Sequence, residues 1–298
     1  MIKHFCCSIF ILLVVVSNSI AQNAYRLIDY DAEGTMYTIT NGDADNFDPQ
    51  KATLTKYSEL GVKLKEQKLN IFNHEYPVDL KVDSQTNSIY VLMKTWYYPS
   101  YNLPGNAEYD VVLAKFDLLL NFKWYYYFNY GDDASFDIPF DINIDSLSNV
   151  YFAVNTFKND SMLQTTANSI IKIDEKGTLV FDSQDWHNRI SPNVILTCFT
   201  TIKSGETFAG GYIQKQTKKG LKHQSFLIAF DAKGKLRWQR EIENAILKND
   251  ANNFISSIEV DNTRQIYFII KTTNTTTADS YTGKCTDSKL NWVKLVKK

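Results

Sequence analysis

The chain contains 298 residues, of which 44% are hydrophobic and 22% charged, and its formal net charge is −1. Its 18 Tyr and 18 Phe exclude an intrinsically disordered protein, because such chains are poor in large aromatic residues. The nearly balanced charge gives no electrostatic reason to expect nucleic acid or an anionic membrane surface as a partner. The length suits one large domain or two small ones.

The first 21 residues have the features of a secretory signal peptide. Lys3 and His4 precede an apolar run from Phe5 to Val16, and small residues follow up to Ala21. This pattern predicts cleavage near Ala21. The apolar run is shorter than the ~20 residues that a membrane-spanning helix needs. We therefore expect a secreted or extracytoplasmic protein without a membrane span.

Two cysteines, Cys198 and Cys285, remain after this cleavage. Two thiols so far apart form neither a disulfide framework nor a metal-binding motif. A disulfide would require their Cα atoms to lie within about 7 Å, so we expect both thiols to stay unpaired. Asn159 and Asn274 begin glycosylation sequons, which matter only in a eukaryotic source.

The rest of the chain repeats one pattern five times. Period-two alternation, aromatic and β-branched residues, and a turn about every ten positions predict four short strands in each copy. The aromatic anchors of the second strands are Tyr37, Tyr90, Tyr151, Phe208 and Tyr267. Four antiparallel strands repeated at this period are typical of a β-propeller. We predict an all-β, single-domain propeller over residues 22–298 with little helix, its five blades lying at approximately 22–72, 73–131, 132–188, 189–246 and 247–298.

A second aromatic residue follows an Asp by seven positions near the end of most copies. The pairs are Asp117 with Trp124, Asp174 with Phe181, and Asp231 with Trp238. In the last copy Cys285 takes the place of the Asp and leads to Trp292, whereas in the first copy Lys65 takes the place of the aromatic residue. We expect these rings to pack between blades rather than to contact a ligand.

Two segments resemble known propeller repeats. Residues 109–117 with Trp124, followed by Gly131, Asp132 and Asp133, look like the β-propeller repeat common in exported bacterial proteins. Residues 231–238 resemble the blade motif of quinoprotein-like propellers. The resemblance covers all five copies, is specific in the second to fourth, and implies a fold and an exported setting more than an activity. Quinone-dependent dehydrogenases with similar repeats are much longer and carry adjacent cysteines in the mature domain. This chain lacks that cysteine pair, so we expect no redox cofactor.

The two edges of the predicted blades differ in loop length. The first–second and third–fourth turns are tight and share one edge, whereas the longer second–third loops and the connections between blades share the other. All six prolines, at positions 49, 77, 99, 104, 139 and 192, fall in these longer segments or where they meet a strand. Proline cannot donate to a strand ladder, which supports this division. Binding residues typically lie on variable loops of this kind.

The strongest ligand-binding candidates lie on this variable edge. An aromatic cluster suits sugar rings, peptides or a protein surface, although the same rings could instead fold over and cover the blade edge. Its members are Trp96, Tyr97, Tyr98 and Tyr101. Three carboxylates on the same edge, Asp132, Asp133 and Asp137, could supply polar contacts or hold a cation.

Metal and catalytic signals are weak. Asp43, Asp45 and Asp48 alternate in a way that could bind Ca²⁺, but the loop lacks the other ligands of a calcium motif, which favours a solvated acidic turn. Three histidines of the variable edge come from different connections, which favours surface placement over a metal centre. They are His74, His187 and His223. No nucleophile elbow or phosphate-binding loop is present, so we predict no catalytic residue and no cofactor beyond a possible Ca²⁺.

These features favour an exported, non-catalytic, monomeric propeller that binds a protein or a glycan through its variable edge. The alternative is a secreted carbohydrate-active hydrolase or lyase, in which acidic residues of several blades meet near the propeller axis. A third hypothesis is a purely structural envelope component. The first two differ in whether ionisable groups from several blades converge with perturbed pKa values.

Overall fold

The computed structural model describes residues 27–41, 51–72, 74–97, 108–130, 135–158, 165–183, 193–218, 220–242, 252–273, 278–286 and 293–297. These residues form strands β1 to β20 and contain no helix, which confirms the all-β prediction. Within these ranges there is accordingly no helix long and apolar enough to cross a membrane.

The strands follow one another in five antiparallel four-stranded meanders. The first contains β1 (Leu27–Tyr30), β2 (Met36–Thr40), β3 (Thr53–Tyr57) and β4 (Lys63–Lys68). The second contains β5 (His74–Asp83), β6 (Ser88–Tyr97), β7 (Glu108–Asp117) and β8 (Phe122–Phe128). The third contains β9 (Ser135–Ile144), β10 (Val150–Lys158), β11 (Thr165–Ile173) and β12 (Leu179–Asp182). The fourth contains β13 (Val194–Thr201), β14 (Thr207–Thr217), β15 (Gly220–Phe230) and β16 (Leu236–Glu241). The fifth contains β17 (Asn252–Val260), β18 (Gln265–Thr273), β19 (Ala278–Thr286) and β20 (Val293–Lys297).

The meanders stack in chain order. The second and third join into one eight-stranded sheet through a parallel pairing of β7 with β9 at Tyr109 and Phe136. The first strands contact one another in series, from β1 through β5, β9 and β13 to β17. Between β17 and β1 the described residues form no comparable contact. Closure of the array into a ring of five blades therefore stays a prediction.

An Asp side chain organises the hairpin between the first and second strands in four of the five meanders. In the third meander, Asp145 Oδ1 accepts hydrogen bonds from the backbone N–H groups of Leu147 and Asn149, and its Oδ2 accepts one from the Tyr151 hydroxyl at 2.9 Å. The same Asp–Tyr bond occurs between Asp31 and Tyr37 and between Asp261 and Tyr267, at 3.0 and 3.1 Å. The short Asp side chain is suited to such turns because it satisfies nearby backbone donors. In these three meanders the Tyr hydroxyl thus ties the second strand to the tight hairpin.

Aromatic residues on the outer strands pack against a hairpin of the next meander. Trp124 on β8 donates from its indole nitrogen to the carbonyl oxygen of Glu175 at 3.2 Å, in the β11–β12 hairpin. A Cβ atom at Gly177 of that hairpin would lie 2.9 Å from the indole, and one at Gly234 of the β15–β16 hairpin would overlap the Phe181 ring. Trp124 and Phe181 therefore pack between successive meanders, as predicted.

In the fifth meander, the position equivalent to Trp124 is one residue later than the predicted Trp292. Strand register pairs Lys115 with Trp124 in the second meander but Lys284 with Val293 in the fifth. Val293 thus occupies the position assigned to Trp292, which itself lies outside the described residues.

Four hydrophobic clusters form the core, each between two successive meanders. Cys198 and Cys285 are both buried in the cluster between the fourth and fifth. Burial raises the pKa of Cys198 to about 12, so this thiol is protonated at neutral pH. The pairing state of the two cysteines stays a prediction.

Candidate functional site

The predicted aromatic site lies at the end of β6, where the described chain stops. Trp96 and Tyr97 are the last two residues of this strand, and Trp96 pairs in register with His74 of β5 and Tyr109 of β7. Several predicted residues lie outside the described chain: Tyr98, Tyr101, Asp132, Asp133, Asp43, Asp45, Asp48 and His187. The register nevertheless indicates which described residues lie beside the predicted site.

A group of rings around a lysine occupies this part of the variable edge. We define the edge cluster as His74, Tyr76, Lys94, Tyr109 and Phe136, all half-buried. The Lys94 ammonium lies 4.5 Å from the Tyr109 ring centroid and 5.5 Å from that of Tyr76. The His74 ring stacks on Tyr76 at 6.3 Å, and Phe136 lies 5.7 Å from Tyr109. Side chains from β5, β6, β7 and β9 thus meet at one place.

The strand pattern explains why these side chains meet. His74 and Tyr76 are two residues apart on β5 and share a face, and Tyr76 lies directly opposite Lys94. Burial lowers the pKa of Lys94. Burial, with a smaller contribution from Lys51, also lowers the pKa of His74. The lowered pKa leaves His74 largely uncharged at neutral pH.

Asp137, one of the predicted ligand-binding residues, is fully buried. It accepts hydrogen bonds from the Thr156 hydroxyl at 2.5 Å and from the backbone N–H of Tyr130 at 2.8 Å. Burial raises the pKa of Asp137 to about 7 despite these two donors. Asp137 therefore anchors the connection between β8 and β9. A direct ligand contact of this residue remains a prediction.

Glu75 holds the corresponding position at the start of β5, and sequence reasoning missed it. Its buried carboxylate accepts hydrogen bonds from the backbone N–H groups of Ala52, Ile71 and Phe72, at 3.2, 2.6 and 3.1 Å. The signal available in the sequence was its position within the repeat, which matches that of Asp137. Acidic residues at this position hold the preceding connection against the sheet.

A carboxyl pair connects the first strands of the second and third meanders. Asp79 on β5 accepts a hydrogen bond from the backbone N–H of Ile142 at 2.8 Å, and its carboxyl group lies beside that of Asp141 on β9. Burial and the neighbouring Asp79 raise the pKa of Asp141, and Lys81 opposes this effect. This raised pKa favours a protonated Asp141 at neutral pH.

Both carboxyl groups follow an irregularity in their strands. The pairing register shifts between Pro77 and Asp79 on β5 and between Pro139 and Asp141 on β9. A β-bulge of this kind redirects the following side chain. The repeated Pro-x-Asp sequence was visible in the chain, but no sequence rule joins two copies 62 positions apart.

No group of three or more His, Cys, Asp or Glu side chains suited to a metal ion occurs within the described ranges.

No family model and no curated protein matches the chain. Among solved structures, the polysaccharide lyase Uly1 matches with a TM-score of 0.55 and 9% identity, over 92% of this chain and 69% of that one. A Dyadobacter fermentans protein of unknown function matches with a TM-score of 0.52 and 10% identity, over 92% and 81%. A mutant of the apocarotenoid oxygenase of Synechocystis matches with a TM-score of 0.52 and 8% identity, over 92% and 61%. At such identities the likeness concerns the fold alone, which is β-propeller-like.

Proposed function

We propose that the chain is an exported five-bladed β-propeller that binds a glycan or protein partner through its variable edge at the second and third meanders. The edge cluster is the observation that carries this proposal. Its rings come from three strands of one sheet, β5, β7 and β9, and remain partly accessible. Preorganised rings lose little conformational entropy when a partner binds, which favours aromatic anchors at binding surfaces.

We propose that the loop residues Tyr98 and Tyr101 contribute further rings to the same binding surface. Trp96 lies between two members of the edge cluster in the strand register, and the Tyr98–Tyr101 segment follows directly. Pro99 and Pro104 restrict the loop, which lowers the entropy cost of fixing its rings against a partner. Aromatic anchors of this type commonly cost ~2 kcal/mol or more in binding when truncated.

The test pairs a binding screen with stability measurements. The mature protein is applied to a glycan array and to a peptide array, and Trp96→Ala and Tyr98→Ala are compared with the wild type. We expect both variants to lose binding with little change in melting temperature. A lowered melting temperature with unchanged affinity would assign these rings to covering the sheet edge and would overturn the proposal.

The second candidate function is a carbohydrate-active hydrolase or lyase that uses Asp79 and Asp141. The two neighbouring carboxyl groups favour this function because the raised pKa of Asp141 suits a general acid, with a second carboxyl group beside it. A hydrolysis screen on acidic and neutral polysaccharides tests it. Activity abolished in Asp141→Asn but retained in Asp174→Asn, a change in a hairpin, would support an enzyme. A lack of turnover on every substrate would leave binding as the function.

Closure of the ring and export can be tested separately. Leu27 on β1 and Ser257 on β17 hold equivalent positions in their meanders. In a closed ring, Leu27→Cys and Ser257→Cys in one chain should form a disulfide under mild oxidation; an open array should leave both reduced.

N-terminal sequencing of the secreted protein should begin at Gln22.

A further inference from the structure

We propose that the edge cluster binds an acidic glycan, with Lys94 pairing with a carboxylate or sulfate group of the sugar while the neighbouring rings support the sugar face. This inference rests on the proposed glycan-binding function and specifies its ligand class. The geometry of Lys94 and its surroundings carries it.

Lys94 holds a half-buried charge without a matching anion in the described part of the chain. Its ammonium contacts there are the rings of Tyr109 and Tyr76, at 4.5 and 5.5 Å. Cation–π contacts offset only part of the cost of removing an ammonium group from water. An incoming anion would supply the missing interaction and therefore binds more favourably here than beside a paired lysine.

The equivalent positions in the next two meanders have a different role. Asn155 exchanges two hydrogen bonds with the backbone of Leu196, at 2.8 and 3.0 Å, and so joins β10 to β13. Tyr212 packs edge-on against Phe254 of β17. Both residues connect one meander to the next. Lys94 instead contacts rings of its own meander. Contact between successive meanders therefore does not explain why a lysine occupies this position.

The acidic groups nearest in sequence lie on the opposite sides of their strands. Glu75, Asp110 and Asp137 are each adjacent to a member of the edge cluster and so point away from it. Each is buried and accepts hydrogen bonds, Asp110 from the Tyr127 hydroxyl at 2.5 Å. The face that holds the rings therefore carries the cation, and the alternate face holds the carboxylates.

Isothermal titration with an oligogalacturonate, a sulfated galacto-oligosaccharide and a neutral galacto-oligosaccharide of equal length tests the inference. Lys94→Met removes the charge and keeps the chain length, whereas Lys94→Arg keeps the charge. Lys271→Met is the matched control, because Lys271 holds the same register on β18 and is exposed. We expect Lys94→Met to weaken binding of at least one acidic oligomer tenfold or more, Lys94→Arg to restore most of it, and Lys271→Met to leave it unchanged.

Three outcomes would overturn the inference. In the first, the wild type binds neutral and acidic oligomers equally and Trp96→Ala loses this binding. That result would support glycan binding at this edge but would reject a preference for acidic glycans. If no glycan binds at all, both the acidic-glycan ligand and the proposed glycan-binding function are wrong, and a protein partner is left. A lower melting temperature of Lys94→Met with unchanged affinity would show that the lysine stabilises the fold through its ring contacts and does not bind the ligand.

Discussion

Replacing Asp137 by asparagine should change how the stability of the protein depends on pH. Burial raises the pKa of this carboxyl group from 3.8 to about 7 in the folded state. The folded protein therefore holds the proton more strongly than the unfolded chain does. The stabilisation that this proton provides is fully present below pH 3.8 and is lost as the pH rises through 7.

The magnitude follows from the size of the shift. Each pKa unit corresponds to 1.36 kcal/mol, so the change from 3.8 to about 7 amounts to roughly 4 kcal/mol of unfolding free energy lost between these pH values. The asparagine side chain of the variant cannot ionise and escapes this loss. Its amide keeps an acceptor for the Thr156 hydroxyl but cannot also accept the Tyr130 N–H, which costs about 1 kcal/mol.

Urea unfolding followed by tryptophan fluorescence from pH 4 to pH 8 checks this prediction. We expect Asp137→Asn to be about 1 kcal/mol less stable than the wild type at pH 4 and up to ~3 kcal/mol more stable at pH 8. Asp117→Asn is the control of opposite sign. Hydrogen bonds from Lys123 and the Asn121 backbone outweigh desolvation and lower the pKa of Asp117, so its stabilisation is lost as the pH falls. Parallel pH profiles for Asp137→Asn and the wild type would refute the reasoning.

Three further predictions concern the scaffold. Gly234→Ala should lower stability by roughly 2 kcal/mol more than Gly61→Ala, because both glycines have φ +77° but only the first meets a neighbouring ring, that of Phe181; equal effects would exclude a packing role. Glu75→Gln should cost about 1–3 kcal/mol in urea unfolding, since one amide oxygen replaces two carboxylate oxygens that serve three backbone donors. Trp124→Phe should cost about 1 kcal/mol through the lost indole hydrogen bond, and an unchanged melting temperature would contradict that contact.

Much of the scaffold could be predicted because its signals are local. Alternation and turn residues identified the strands, and the Asp and aromatic positions recur because each hairpin needs the same backbone donors satisfied. The absence of the outer aromatic residue in the first copy was also correct, since Lys65 pairs with Lys56 there. The prediction for Trp292 was wrong by one position because Thr286, and not Cys285, holds the strand register of Asp117.

The sequence by itself determined the repeating strands, the tight hairpins and the rings that pack between meanders. Only the tertiary structure decided which side chains meet across meanders. Asp79 and Asp141 lie side by side because a bulge in β5 and another in β9 turn both side chains toward the contact between the second and third meanders. Lys94 lies between Tyr76 and Tyr109 because three strands bring their faces together. Alternation and turn chemistry act within a few residues, whereas these contacts depend on register and stacking over the whole chain.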